Sequence, residues 1–562
     1  MSINSIENLS DELFYEIFDY LNGCQIYHAF SNLNYRFHQL INSSSLLFKI
    51  RLGYYSRSNE IFMNNYKQIL LLNKNQIISI YLWISDNTNQ IISLFTIDSS
   101  FNCLESLMFN SIEPNVLISV LPKLTCLPRL FSLTIDTWSI QNDLGDIYRL
   151  IFNLQKLKYI KFTSTDSNDY DITISLPIAT NEQISSIEYL NINHACAFDE
   201  LFAIISYTPQ LRRLKFLNLT GRNVNIKDIK PIILSNLTYL SIYIYEISFD
   251  EFEIFINKLN SKLKVLSLTT IVEDITYLDA NRWEKFILTK LSQLEKFYFK
   301  YSAYFAENYE TPVYLGQCDQ FISSFWLERR WILDIEFEFK TVIYSIRPYQ
   351  KRWYEYSTQN TMINFSHELS KSIRLSLDNL CPEQWTKTIY FNDYINHVLS
   401  LTQIYHLEIH AKIFCNKLME ILHLLPDIIT LKIFSLPILQ QGNLSDDEIE
   451  FLCILLPKNQ IQKICFENME DMDEVYMLLL ICSRINHLQI QCVDYMHAEL
   501  LTKVILTQIK DVSNSLLRFL CFSIPEAHDE MIEKLEIMID RENLRFDFII
   551  KHVMDKIYLQ WK

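Results

Sequence analysis

Glycine is nearly missing from this chain, with 6 residues among 562. Loops that cradle phosphates need backbone free to adopt positive φ, which glycine supplies, so nucleotide-binding readings lose their usual footing. Cysteine is present as 12 residues but never as C-x-x-C, and most copies sit inside or beside apolar stretches, as Cys103 just before 104–109 and Cys465 within 461–466. That placement reads as buried, reduced thiols acting as small hydrophobes, not as a disulfide or metal framework. Positive charge is in deficit: the formal net charge of -16 is unfavourable for nucleic acid or an anionic membrane over the surface as a whole. No apolar run is long enough to span a bilayer. The opening MSINSIENLSDELF carries Glu7, Asp11 and Glu12 where a secretory signal needs an apolar core, so the expectation is a cytoplasmic or nuclear protein. Nucleophile elbows, H-E-x-x-H and paired P-loop or kinase elements are missing too, and neither catalytic residues nor a cofactor is expected.

What the chain has in abundance is apolar surface, 49% hydrophobic and 14% aromatic residues, with no long low-complexity tract. Such a composition folds nearly end to end. One template recurs, apolar-x-x-apolar-x-apolar: IISIYL from Ile77, LESLMF from Leu104, LFSLTI from Leu130, LKYIKF from Leu157, IEYLNI from Ile187 and LRRLKF from Leu211. It continues from Leu237, Leu263, Leu294, Ile332, Ile404, Ile428, Ile461, Ile485 and Leu517, with a weaker copy around Ile373, Leu375 and Leu377. The fourth and sixth positions alternate on one face of a short strand and enter the core, while the third, fifth and seventh project the other way. Each copy is then a strand followed by a helical return, and stacked copies share one continuous core that none could close alone. The pattern resembles leucine-rich repeats, whose period is near or just below the spacing here. The resemblance covers residues 75–527 and implies an α/β solenoid. Trp138, Thr165, Ala195 and Tyr245 stand where the family places an asparagine after the strand, so an irregular solenoid is expected.

Two stretches break the period, 301–331 and 338–370, and are read as inserts. The second holds YSIRPYQKRWYEY, with Arg347, Lys351 and Arg352 among Tyr349, Trp353, Tyr354 and Tyr356. Basic and aromatic interleaving can stack single-stranded nucleic acid, but the acidic total favours aromatics packed on the solenoid, and no nucleic-acid partner is expected. Residues 528–562 read as a terminal cap: a helix from about Asp529 to Met554, then a strand carrying Ile557, Leu559 and Trp561.

At the start, LSDELFYEIFDYL places Leu9, Leu13, Ile17 and Leu21 four residues apart, with Phe14 and Phe18 widening the stripe, the period of an amphipathic helix. Ser10, Asp11 and Glu12 suit its first turn, and Gly23 is read as its end. Ile26, Ala29, Phe30 and Leu33, then Phe37, Leu40 and Ile41, predict further helices broken near Asn32 and Asn34. So small a bundle cannot bury this many large side chains against itself. It either docks on a partner or caps the first repeat. The series Leu9, Asp11-Glu12-Leu13, Ile17-Phe18, Tyr20-Leu21, Ile26, Ala29-Phe30, Leu33, Arg36-Phe37 and Leu40-Ile41 resembles the F-box, with Ser10 where that family usually has proline and Phe37 where tryptophan is common. The resemblance covers residues 3 to about 45 and implies a helical domain over 1–50, with 51–74 as a helical linker or cap. It implies docking on a Skp-type adaptor, and through it a cullin, by Leu9, Leu13, Ile17, Phe18, Leu21, Ile26, Phe30, Leu33 and Phe37. An F-box followed by leucine-rich repeats is the layout of ubiquitin-ligase substrate receptors, which supply proximity and leave bond making to other subunits.

The outward strand positions form a candidate face for a protein target: Tyr81 and Trp83, Tyr159 and Lys161, Tyr189 and Asn191, Arg213 and Lys215, Tyr239 and Tyr243, and Lys296, Tyr298 and Lys300. Aromatics and arginine have the chemistry of interface anchors. Asp334, Glu336 and Glu338 are expected to follow as an acidic patch, which suits a bipolar partner. His406, Glu408 and His410 alternate on one strand face at a spacing that could share a metal, but no third histidine accompanies them and no metal is expected.

Overall fold

The computed structural model describes residues 6–52, 74–83, 97–138, 143–165, 172–221, 225–271, 274–304, 321–338, 341–353, 373–378, 403–437, 459–469, 471–491, 495–511, 516–524, 529–542 and 548–561. Chain contacts divide it into two compact units, one of residues 1–270 and 286–295, the other of 271–285 and 296–562. Each is a mixed α/β body with an open, mainly parallel sheet. The linker read at 51–74 lies almost wholly outside the described residues.

The first unit opens with three short helices, α1 (Asp11–Asp19), α2 (Gly23–Phe30) and α3 (Tyr35–Asn42). Gly23 does not end α1 as the sequence reading has it. It is the first residue of α2, capped by Asn22, whose side chain accepts from the Cys24 N–H while Gln25 reaches back to the Asn22 N–H. A Cβ at Gly23 would lie 2.8 Å from Ile50 Cδ1 and 3.1 Å from Phe48 Cβ, so the absent side chain is what lets α2 sit against the next strand. Asn34 starts α3 by accepting from the Phe37 N–H. Four aromatic rings fill the bundle, with Phe14 edge-on to Phe37 at 4.8 Å and Phe18 to Phe30 at 5.1 Å.

The strands of this unit are β1 (Phe48–Leu52), β2 (Ile77–Trp83), β3 (Ser106–Asn110), β4 (Ser132–Trp138), β5 (Tyr159–Thr165), β6 (Tyr189–Ala197), β7 (Arg213–Thr220), β8 (Tyr239–Tyr245) and β9 (Val265–Ile271). From β1 to β8 each pairs in parallel with the next, and Lys264 and Val265 donate to the Thr238 carbonyl to bring in β9. Leu107, Leu133, Ile160, Leu190, Leu214 and Leu240, the fourth positions of successive template copies, stand opposite one another across the sheet and are all buried. Each such burial contributes about 1.5 to 3 kcal/mol of transfer free energy. The strands run through the position where an asparagine would turn the chain: Trp138, Thr165 and Tyr245 end theirs, and Ala195 lies within β6.

Helical returns among the described residues include α4 (Gly145–Phe152), α5 (Phe198–Ser206) and α6 (Phe249–Leu259). Between β7 and β8 the expected helix is replaced by one 3-10 turn, Ile226–Asp228, and irregular chain. Pro231 lies in that stretch and cannot donate to a helical ladder. Ile226 and Leu234 enter the core while Ile233 is exposed.

The second unit carries β10 (Lys296–Tyr304), β11 (Trp331–Glu338), β12 (Thr341–Pro348), β13 (Arg374–Asp378), β14 (His406–Lys412), β15 (Thr430–Ser435), β16 (Lys463–Phe466), β17 (His487–Gln491), β18 (Phe519–Ser523), β19 (Phe548–Val553) and β20 (Lys556–Trp561). The stretch 338–370, read from sequence as an insert, in fact supplies β12, which wedges antiparallel between β10 and β11. Its Val342, Ile343, Tyr344 and Ile346 are buried, a strand covered on both faces that does not match the template. The remaining parts of both inserts, 305–320 and 354–372, lie outside the described residues. From β11 through β13 to β18 the pairing is parallel again. At the far end the helix α7 (Asp529–Arg541) stops well before Met554, and an antiparallel hairpin of β19 and β20 follows, with β20 paired on β18.

Candidate functional site

Three surfaces gather the residues of interest. The first is the N-terminal bundle. Arg36 ties it together, its Nη2 donating to the Leu9 carbonyl at 2.6 Å and to Asp11 Oδ1 at 2.5 Å, its Nη1 to the Glu7 carbonyl at 2.6 Å. Of the residues expected to dock an adaptor, Phe18, Ile26 and Phe37 are buried in the bundle's own core. That corrects the sequence reading, because a stripe two faces wide closes three helices on each other before it meets anything else. Leu9, Ile17, Leu21 and Phe30 are half-buried. Leu13 and Leu33 are exposed at 44% and 56%, and they are joined by two residues outside the expected set, Tyr20 at 91% and Tyr35 at 76%. Tyr20 stands in the F-box-like series but not among the residues that the resemblance implies for docking, and Tyr35 carries no signal in the apolar pattern.

The second surface is the outward face of the first unit's sheet. Tyr159, Tyr189, Arg213 and Tyr239 stand side by side across four strands, and the Arg213 guanidinium lies 5.6 Å from the ring centres of both Tyr189 and Tyr239. Cation–π attraction holds that arginine between its neighbours. Lys161 and Lys215 flank Asn191 in the next row. Trp83, Arg213 and Lys215 are exposed, while Tyr81, Tyr159, Lys161, Tyr189, Tyr239 and Tyr243 are half-buried. Lys296, Tyr298 and Lys300 are exposed on β10 of the second unit.

The third surface is a cleft of about 240 Å³ in the second unit, lined by Asp334, Arg347, Tyr349, Lys351, Arg352, Trp353, Arg374, Glu408 and Lys432. The expected acidic patch is overturned here. Asp334 is 2% exposed and held by three guanidiniums, Arg347 at 2.7 Å, Arg352 at 2.8 Å and Arg374 at 3.4 Å, two of them from the neighbouring strands β12 and β13 and one, Arg352, from the segment after β12. Glu336 is half-buried and only Glu338 is open. Arg374 also donates to Glu408 at 2.8 Å. Burial opposes its charge, but Asp334 and Glu408 more than offset that, raising its pKa. Glu408 is held at about 2, the cost of burial being outweighed by His410 and by Arg374.

Arg347 and Arg352 of the basic-aromatic insert are thus engaged with Asp334, and Trp353 lies near His487 of β17, ring centres 6.5 Å apart. Tyr354 and Tyr356 fall outside the described residues. His406 hydrogen-bonds Thr430 Oγ1 at 2.8 Å, while His410 faces Glu408 at 3.5 Å and Asp378 at 3.8 Å. Among the described residues no group of three His, Cys, Asp or Glu is placed to hold a metal. Burial pushes the Cys24, Cys465, Cys482 and Cys521 thiols up to about 12, which keeps them un-ionised at neutral pH. Among the described residues no helix is long and apolar enough to cross a membrane.

No protein-family profile matches this chain, and no curated protein matches its sequence.

Proposed function

We propose that the chain is a non-catalytic substrate receptor of a Skp-cullin-F-box type ubiquitin ligase, working in the cytoplasm or nucleus. Its N-terminal helices would dock the adaptor, and its leucine-rich-repeat-like strands would hold a target protein. The observation that carries this reading is a bundle with a closed aromatic core that still exposes Leu13, Tyr20, Leu33 and Tyr35. Four large apolar side chains left open on so small a bundle are surface that a partner can cover. The Tyr159–Tyr189–Arg213–Tyr239 row offers the target aromatic and arginine anchors on a rigid sheet.

A second reading, a repeat scaffold with a helical cap, is favoured by the contact of α2 with β1. Asn22 Nδ2 donates to the Arg51 carbonyl at 2.8 Å, and Gln76 binds the Ser43 carbonyl at 2.6 Å. These contacts run through the start of α2 and the end of α3, and neither involves Leu13 of α1 or Tyr20 just after it.

The deciding experiment is a pull-down of the full chain by a Skp-type adaptor, beside a variant with Leu13→Asp, Tyr20→Ser and Leu33→Asp. Capture of the parent but not of the variant, with equal circular dichroism, is expected. Capture of neither would leave the scaffold reading.

A further inference from the structure

The charged cleft of the second unit is more than a set of ion pairs. Its lining brings together five cations, Arg347 on β12, Lys351 and Arg352 on the segment that follows, Arg374 on β13 and Lys432 on β15. Among the described residues two carboxylates, Asp334 and Glu408, share that lining, and two more stand beside it, Glu467 at 2.8 Å from Lys432 and Glu336 at 4.0 Å from Arg374. In a chain whose net charge is -16, three guanidiniums nevertheless converge on the single carboxylate of Asp334.

Two further observations point to something that sits among them. The Nε of Arg374 is buried and has no hydrogen-bond acceptor, a condition that buried donors in folded proteins rarely keep. The space is also real: about 240 Å³, against the roughly 15 Å³ that one water requires. The buried carboxylates fix the arginines in place, so a ligand meets donors already oriented and loses little to ordering them.

We propose that this cleft binds a phosphate monoester, its dianion received by Arg347, Arg352 and Arg374 with Lys351 at the mouth. Guanidinium is the group suited to it, since its planar fork meets phosphate oxygens two at a time. A phosphate monoester brings three terminal oxygens to three converging guanidiniums, and a carboxylate, with two oxygens, fits less well. The inference concerns the second unit alone and stands whether or not the N-terminal helices meet an adaptor.

The test is calorimetric titration of the full chain with two probes, a short peptide containing one phosphoserine and glycerol phosphate. The unphosphorylated peptide serves as control. Beside the parent stand Arg347→Gln/Lys351→Gln, which changes the two more exposed cations, and Lys123→Gln, which removes an exposed cation from the first unit. Binding of at least one phosphate probe is expected, weakened tenfold or more in Arg347→Gln/Lys351→Gln and unchanged in Lys123→Gln. A preference for the peptide would assign the site to a phosphate carried by another protein, and a preference for glycerol phosphate to a free small ligand. Absence of binding by the parent to both probes, or equal affinity in the parent and Arg347→Gln/Lys351→Gln, would overturn the proposal. Unfolding midpoints of the variants within a few degrees of the parent keep a folding defect apart from a lost site.

Discussion

Tyr148 Oη and His194 Nε2 lie 2.6 Å apart inside the first unit, neither reaching solvent. His194 Nδ1 is 2.9 Å from the Ala195 carbonyl, which only accepts, so Nδ1 carries the proton and Nε2 accepts from the Tyr148 hydroxyl. The pair couples α4 to β6. Burial holds the His194 pKa at about 4 against the ordinary 6.5, with the Ala195 hydrogen bond opposing. Above pH 6.5 both folded and unfolded chains keep this histidine neutral. As pH falls from 6.5 towards 4 the unfolded chain takes up the proton and the folded chain does not, so stability declines by up to about 1.4 kcal/mol per pH unit from this group. Urea unfolding at several pH values should show that slope, and His194→Gln should flatten it.

Tyr148→Phe leaves the His194 Nε2 lone pair without its donor in a site closed to water. A loss of about 1 to 3 kcal/mol is expected, read as a lower urea midpoint with an unchanged denaturant slope.

Gly145 opens α4 against backbone. A Cβ there would lie 2.5 Å from the Ser175 carbonyl oxygen and 2.9 Å from its carbon, and neither can rotate away. Gly145→Ala should destabilise by about 1 to 3 kcal/mol, although alanine favours helix elsewhere. Thermal unfolding of the variant checks this.

Asp334→Ala removes the one buried carboxylate that three arginines share and leaves their charges to repel. Breaking a buried ionic network from one side costs about 3 to 5 kcal/mol. Adding Arg352→Met to the same chain should recover part of that loss, which a double-mutant cycle in guanidinium chloride would measure.

Phe18 and Leu13 lie one helical turn and a half apart on α1 but face opposite fates. Phe18→Asp places a charge against the rings of Phe14 and Phe30 and should unfold the bundle. Leu13→Asp should leave helicity intact while abolishing any partner that docks there. Circular dichroism and limited proteolysis of the N-terminal 50 residues in the full chain distinguish the two.

Strand position was the most legible property of this sequence. Leu157, Ile160 and Phe162, or Ile428, Leu431 and Ile433, occupy the first, fourth and sixth template positions and are buried, because period-two alternation and burial are the same statement about a strand with one covered face. The reading was poorer wherever a second layer covers the outward face. Asp334 looks like solvent-facing charge when only its own strand is considered, and its three arginines come from β12, β13 and the segment after β12. Strand β12 itself was missed because a strand running antiparallel inside a parallel array needs no template copy. The widened stripe of the first helix marked an apolar surface, but not which of its residues the bundle would keep.

From β2 to β8 each strand pairs only with the copies just before and just after it. Such a ladder has no long-range keystone. A lesion at Leu133 loosens β4 and its two neighbours while β7 and β8 keep their own pairing. Pulled from its ends, the array gives way one rung at a time, so its resistance to force is set by the weakest neighbouring pair and not by the sum of its strands.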